Sequence, residues 1–131
     1  MGPVARFKKY KEQVHPYSGL DPKSWESFLN NIQEFEQSAS TDRLDEAAKA
    51  LYAAEENVRD LGLGIRRADD AEHQEKLDTI ARELAYEGEF IINQAAISRG
   101  IQFFPKYLND SLMDYPDARP DGPFPRLRSD A

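Results

Sequence analysis

Six glutamates in the central region are the residues whose chemistry would matter most in an enzyme or a metalloprotein. Helical bundles hold di-metal centres with inward-facing glutamates and two Glu-x-x-His pairs. This chain has only two histidines, and its nearest approach to such a pair is Asp70-x-x-His73, which has no second copy. We therefore predict no metal site and interpret the glutamates as a solvated acidic face. They are Glu55, Glu56, Glu72, Glu83, Glu87 and Glu89.

Nucleophilic catalysis finds no support in the residue types either. The chain has no cysteine, which removes thiol nucleophiles, thiolate metal ligands and disulfides. There is no G-x-S-x-G pattern, and Gly62-Leu-Gly64 lacks the preceding strand and the third glycine of a dinucleotide-binding loop. We predict no catalytic residues, no cofactor and no small-molecule substrate, and we expect a function that is not enzymatic.

Helical periodicity is concentrated in the middle of the chain. Apolar residues at helical spacing, bounded by capping residues and glycines, predict three helices between residues 21 and 100. They run from Asp21 to about Ser38–Ser40, from Ser40 or Thr41 to Gly62–Gly64, and from Asp69 to about Gly100. Because the two linkers are short, neighbouring helices should be antiparallel. The sequence thus predicts an all-α fold, a small up-down-up three-helix bundle.

The end of the third predicted helix differs from the rest of that helix. After Glu89 the apolar residues cover more than one helical face, at Phe90, Ile91, Ile92, Ala95, Ala96 and Ile97. A helix that is apolar all round is normally buried. We therefore expect this end to lie beneath an arm of the chain or beneath a partner.

Two arms flank the predicted bundle: a basic, aromatic stretch at 1–20 and a proline-rich stretch at 101–131. Prolines interrupt helices, so we predict extended arms, with one short helix at 105–113. Both arms hold too many apolar side chains for solvated tails. We predict that they bind partner proteins through their aromatic residues and one arginine. These are Phe7, Tyr10, Tyr17, Phe104, Tyr107, Tyr115, Phe124 and Arg126.

The charge distribution favours protein partners. The net charge is −7, and residues 21–100 hold 18 acidic against nine basic side chains. Such a body disfavours binding to a nucleic-acid backbone, which needs clustered cations, but suits basic or mixed protein surfaces. The basic, aromatic run at 6–11 leaves binding of single-stranded nucleic acid as a lesser alternative. No apolar run approaches the length of a membrane span.

Four stretches carry a resemblance to a known group of proteins. They are RFKKYK (6–11), HPYSGLDP (15–22), DLGLGIRRADD (60–70) and FFPKYL (103–108). In these stretches the chain resembles small uncharacterised proteins encoded by large nucleocytoplasmic DNA viruses, including algal viruses. The resemblance brings no catalytic residues with it. It implies a virion component, such as a minor capsid protein beneath or between the capsomers of the major capsid protein.

A structural function is therefore expected, in which the arms bridge neighbouring subunits of a larger assembly. Many short contacts made by such arms add up through their effective concentration. The alternative is a helical adaptor or accessory subunit of a cellular multiprotein complex, which would be cytoplasmic.

Overall fold

The computed structural model describes residues 3–65 and 71–108, with side chains from Phe7 onward, and this part of the chain is all-α. Its four α-helices are α1 (Pro3–Val14), α2 (Pro22–Ser40), α3 (Leu44–Leu63) and α4 (Ala71–Arg99), and a 3-10 helix, His15–Leu20, joins α1 to α2. The all-α prediction is confirmed, and α2, α3 and α4 are the three helices predicted between residues 21 and 100. No helix within these ranges is long and apolar enough to cross a membrane.

The start of α2 follows directly from its sequence. The Asp21 carboxylate accepts hydrogen bonds from the Ser24 backbone N–H at 3.3 Å and from the Ser24 hydroxyl at 2.8 Å. These bonds lower the pKa of Asp21. Pro22 occupies the first turn, where its missing N–H has no helical acceptor to lose.

The C-terminal ends of α2 and α4 have the same backbone geometry. At each end a residue with positive φ, Asp42 (60°) or Gly100 (68°), turns the chain out of the helix. The next N–H then bonds back to a carbonyl five residues earlier, from Ile101 to Ala96 and from Arg43 to Ser38, both at 2.8 Å. This motif at the end of α4 sets the direction in which residues 101–108 leave the helix.

Helix α3 lies between α2 and α4, which touch each other little, and α1 packs against both of those outer helices. The α3–α4 contact is close because it involves a glycine. A Cβ added at Gly88 would meet Leu51, with the Leu51 Cγ at 3.0 Å. The core that these helices share includes Phe28, Ile32 and Phe35 of α2, Leu51, Val58 and Leu61 of α3, and Leu77, Leu84 and Ile92 of α4.

The prediction of an extended N-terminal arm is wrong for residues 3–20, because this stretch is helical and its first part belongs to the core. Phe7, Tyr10 and Val14 share one face of α1 and are 0%, 2% and 0% exposed. The Phe7 ring packs edge-on against Phe35 at 5.1 Å between centroids. The Tyr10 hydroxyl donates to Glu87 Oε2 of α4 at 2.9 Å.

The prolines of the N-terminal stretch do not interrupt its helix, although they were expected to make it extended. Pro3 stands in the first turn of α1, where proline is tolerated, and Pro16 follows the helix end. Neither interrupts the run between them. A fourth helix therefore completes the body, in place of a free arm.

Residues 101–108 are not helical. The short helix predicted at 105–113 is therefore wrong at 105–108, and 109–113 lie outside the described residues. The remainder of the predicted C-terminal arm, with Tyr115, Phe124 and Arg126, lies outside them as well.

Candidate protein-interaction site

Glu89 holds the chain that follows α4. Its side chain is 0% exposed, and its carboxylate accepts three successive backbone N–H groups. The Lys106 N–H lies 2.6 Å from Oε2, and those of Tyr107 and Leu108 lie 2.8 and 2.7 Å from Oε1. Hydrogen bonds to an ionised acceptor are the strong ones, and a buried carboxylate without them would be costly. The backbone of 106–108 is thereby fixed to the middle of α4.

Helix α3 contributes a fourth donor to the same carboxylate. The Tyr52 hydroxyl donates to Glu89 Oε2 at 2.6 Å. Burial, and next the hydrogen bond to Glu89, raise the pKa of Tyr52 well above its ordinary value. The phenol therefore stays protonated and remains a donor across the physiological pH range.

A second buried carboxylate holds the side chain of the same segment. Glu55, which is 4% exposed, accepts a hydrogen bond from the Tyr107 hydroxyl. Arg59 donates to Glu55 Oε2 from Nε at 3.2 Å and from Nη2 at 3.1 Å, so the carboxylate is not left unpaired. Burial and the bond to Glu55 raise the pKa of Tyr107. We call Tyr52, Glu55 and Glu89, with the residues 106–108 that they hold, the carboxylate clasp.

The clasp is suited to holding residues 106–108 in place and not to proton transfer. Each oxygen of Glu89 already accepts two hydrogen bonds, which fills the capacity of a carboxylate. The Lys106 ammonium lies over the outside of the clasp, 5.2 Å from the Tyr107 ring centroid and 5.9 Å from that of Tyr52. A substrate would find no free acceptor on Glu89.

The clasped segment presents apolar side chains to solvent. Phe104 is 77% exposed and Ile101 is 47% exposed, while Ile97 in the last turn of α4 is 38% exposed. We call these three residues the apolar strip. Neighbouring Phe103 is partly buried and packs against the core. The three residues lie within eight consecutive positions of the chain, and large exposed apolar side chains are often found at protein–protein contacts.

The structure separates the residues that were predicted to bind partners. Phe104 is the most exposed of those that the structure describes, and Tyr107 belongs to the clasp. Tyr17 is partly buried, and its hydroxyl is 2.8 Å from Nδ1 of His73. Phe7 and Tyr10, which were also predicted to bind partners, lie in the core, so their rings are covered in the folded chain. Tyr115, Phe124 and Arg126 are beyond the described residues.

Two site residues were misjudged from the sequence. A solvated acidic face was predicted for Glu55 and Glu89, and the structure buries both. The sequence feature that could have indicated the burial of Glu89 is the apolar run that follows it. Its predicted burial is confirmed at Phe90, Ile92 and Ala96, which are 7%, 0% and 1% exposed. The same run made Ile97 look like a core residue, whereas it belongs to the strip.

The described ranges contain no group of three or more histidine, aspartate and glutamate side chains arranged to hold a metal ion. Comparisons of the chain with models of protein families, with curated proteins and with solved structures find no match.

Proposed function

We propose that this chain is a non-enzymatic assembly protein, whose helical body holds a C-terminal segment in position for binding to other protein subunits. One observation carries the proposal: a fully buried carboxylate, Glu89, fixes the backbone of 106–108, while Phe104 on the same segment is 77% exposed. A segment that is already ordered loses little conformational entropy on docking, and aromatic side chains are common anchors of interfaces.

The assembly that we propose is the capsid of a large DNA virus, with this chain as a minor component between major capsid subunits. Support comes from the resemblance of four stretches to small proteins of such viruses. One of those stretches, 103–108, contains both the exposed Phe104 and the clasped residues. A small rigid body with a fixed docking segment suits a protein that fills a gap between larger subunits.

An adaptor subunit of a cellular complex would use the same surface, so it remains the alternative. Binding of single-stranded nucleic acid through residues 6–11 is disfavoured. The rings of Phe7 and Tyr10 are buried, so bases could stack on them only if α1 detached. Lys9 is also engaged, 3.4 Å from Glu87.

The test is density-gradient centrifugation of lysates from cells that produce the protein. We expect the wild-type chain to sediment with particles, and Phe104→Ser to reduce the particle-bound fraction severalfold. Lys8→Ala, which changes an exposed residue of α1, is the control and should sediment as the wild type does. Sedimentation with a smaller soluble complex would support the adaptor alternative. Sedimentation as free protein in every sample would overturn both.

A further inference from the structure

We infer that a pocket at the C-terminal end of α2 binds a primary ammonium group, with the Glu36 carboxylate as its counter-charge. This goes beyond the proposed function, which rests on the clasp and the strip. The pocket has a volume of about 550 Å³, within the range of small-molecule sites. We call it the Glu36 pocket. It is lined by Gln33, Glu36, Gln37, Ser40, Thr41 and Arg43.

Glu36 differs from the other two buried glutamates of the described residues. Glu89 accepts four hydrogen bonds, and Glu55 accepts bonds from Tyr107 and Arg59. Glu36 is only 6% exposed, yet within the described ranges its Oε2 has no hydrogen-bond partner and no ion pair involves it. A buried charge without a partner is costly. A positively charged donor in the pocket would supply the missing partner.

The position of Glu36 on the helix also favours a cation. The pocket lies at the C-terminal end of α2, where the helix dipole adds partial negative charge to that of the carboxylate. The terminal torsion of a glutamate is soft and roughly two-fold, so the two carboxylate oxygens can exchange places. Either oxygen of Glu36 can therefore face a ligand in the pocket.

The cations nearest to hand in the described structure do not pair with Glu36. Arg43, on the rim, lies 3.5 Å from Glu46, and its Nε donates to the Thr41 hydroxyl at 2.9 Å. Burial raises the pKa of Glu36, and the charge of Lys11 opposes that rise without an ion pair between the two side chains. The negative charge of the pocket is thus left for a ligand.

The polar groups of the pocket suit an ammonium group better than a metal ion. One carboxylate among neutral side chains does not offset a divalent cation, whose protein sites usually combine several oxygen ligands with carboxylates. An ammonium group presents three N–H donors from a compact centre. One would bond to Glu36 and the others to neutral oxygens. The Ser40 hydroxyl already donates to the Glu36 carbonyl at 2.7 Å, so its lone pairs remain for an incoming donor.

The test is a titration of the full, isotope-labelled chain with n-butylammonium chloride at pH 7, followed by the NMR shifts of the backbone amides. The amine is raised to about 50 mM, which covers weak binding, and the ionic strength is held constant. We expect saturable shifts at Gln37, Ser40 and Thr41 with a millimolar dissociation constant. Tetramethylammonium, which has the same charge and no N–H donor, should give no saturable shift.

Two variants change the binding in opposite directions. Glu36→Gln removes the counter-charge at nearly constant size and should weaken binding about tenfold or more. Lys11→Gln removes a like charge that opposes the ligand, so it should tighten binding. Glu26→Gln, an exposed change on the same helix outside the pocket, should bind as the wild type does. Opposite shifts in the first two variants are not expected from a loss of folding.

No saturable response in the wild type would overturn the inference, since the pocket would then be closed or already occupied by the chain itself. Binding that survives Glu36→Gln, or equal binding of tetramethylammonium, would overturn it as well. A second titration, with Nα-acetyl-lysine amide, distinguishes the source of the ammonium group. Binding of both probes would support a lysine side chain of another protein, and binding of butylammonium alone would support a free small amine.

Discussion

The Tyr52 hydroxyl and the Glu89 carboxylate, 2.6 Å apart, connect the middle of α3 to the middle of α4. The oxygen that accepts from Tyr52 also accepts the Lys106 N–H at 2.6 Å. Two helices and the C-terminal segment thus meet at one atom. Because the Glu89 carboxylate is buried, its negative charge is stabilised by these donors, and the donors are held in place by the charge. Removing the carboxylate or any one donor should therefore disturb the others.

We predict that Glu89→Gln releases residues 106–108 and destabilises the fold. An amide has one acceptor oxygen and carries N–H donors of its own, so it cannot satisfy three backbone N–H groups and a phenol. The expected loss of unfolding free energy is about 2–4 kcal/mol, since hydrogen bonds to a charged group are involved. Urea denaturation measures the loss, and amide hydrogen exchange at 106–108 reports the release.

Glu56→Gln is the matched control for this substitution. Glu56 is exposed on the helix that also carries Tyr52, and its replacement should change stability by less than about 0.5 kcal/mol. If Glu89→Gln behaved in the same way, with 106–108 still protected from exchange, the clasp would not be holding the segment.

The clasp also predicts a loss of stability at alkaline pH. The pKa values of Tyr52 and Tyr107 are raised above their ordinary value of 10.0, first by burial and then by bonds to carboxylates. A group with a raised folded-state pKa stabilises fully below its unfolded pKa. That contribution is lost as the pH rises toward the folded value. Stability should therefore fall above pH 10.

The slope of this fall distinguishes the tyrosines from other titrating groups. One titrating group can change the free energy of unfolding by at most about 1.4 kcal/mol per pH unit. Both tyrosine rings are only partly buried, so each should contribute less than this slope. We expect Tyr52→Phe and Tyr107→Phe to be less stable than the wild type at pH 8 and to show a shallower decline between pH 10 and 11. Thermal melts across this range give the slopes. Parallel curves for all three proteins would contradict the prediction.

Sequence reasoning succeeded where the signals were local. The start of α2 and the end of α4 could be predicted, because Asp21, Pro22 and Gly100 influence only the backbone of their immediate neighbours. Helix α1 was missed for a physical reason. Its 12 residues are about the length at which an isolated helix is marginal, and its stability comes from docking Phe7 onto other helices.

The clasp could not be read from sequence because its contacts are long-range and polar. Glutamate is seldom fully buried, so composition alone assigns Glu89 to the surface. Its burial requires donors from 106–108, which lie 17 to 19 positions further along the chain. Nothing in the local pattern marks those backbone groups as its partners. Only the apolar run after Glu89 indicated that something would cover this end of α4.

Because α1 packs in the core, its residue Phe7 should be important for stability. Because its ring is 0% exposed and packs on Phe35, Phe7→Ala should destabilise the protein by about 3–5 kcal/mol. Lys8→Ala, the exposed neighbour on the same helix, should have little effect. Denaturant midpoints compare the two variants. Equal midpoints would mean that α1 does not contribute to the core in solution.

Glu36 is expected to destabilise the folded chain at neutral pH. It is 6% exposed, and its Oε2 has no hydrogen-bond partner among the described residues. Burial raises its pKa above the ordinary 4.5, although nearby Lys11 opposes the shift. The protonated form is thus favoured on folding. The stability that protonated Glu36 contributes is full below pH 4.5. It is lost as the pH rises through the raised pKa of Glu36 in the folded state.

Replacing Glu36 tests this directly. Glu36→Gln should match the wild type near pH 4 and exceed it at pH 7 by up to about 1 kcal/mol, because the desolvated charge is gone. Glu26→Gln, an exposed change on the same helix, should show no such pH dependence. Urea denaturation at the two pH values measures both. A variant that is less stable than the wild type at pH 7 would show that the Glu36 charge is compensated.

The close approach of α3 and α4 makes Gly88 a sensitive position. In most helices, replacing glycine by alanine stabilises by up to about 1 kcal/mol. At Gly88 the added methyl group would overlap with Leu51, whose Cγ lies 3.0 Å from the Cβ position. We therefore expect Gly88→Ala to destabilise by about 1–3 kcal/mol through overpacking. Movement of the two helices would also displace Tyr52 from Glu89, so exchange at 106–108 should rise.

Gly62 in α3 is the matched control, because a Cβ there would meet its nearest neighbours at 3.9 Å, an ordinary contact distance. Gly62→Ala should therefore be neutral or stabilising. The Leu51→Ala background removes the group that clashes, so Gly88→Ala should cost much less there than in the wild type. Denaturation of the wild type, of Gly88→Ala, of Leu51→Ala and of the double variant gives the coupling energy. Additive effects would mean that strain at Leu51 is not the cause, and that α3 and α4 can separate slightly without loss.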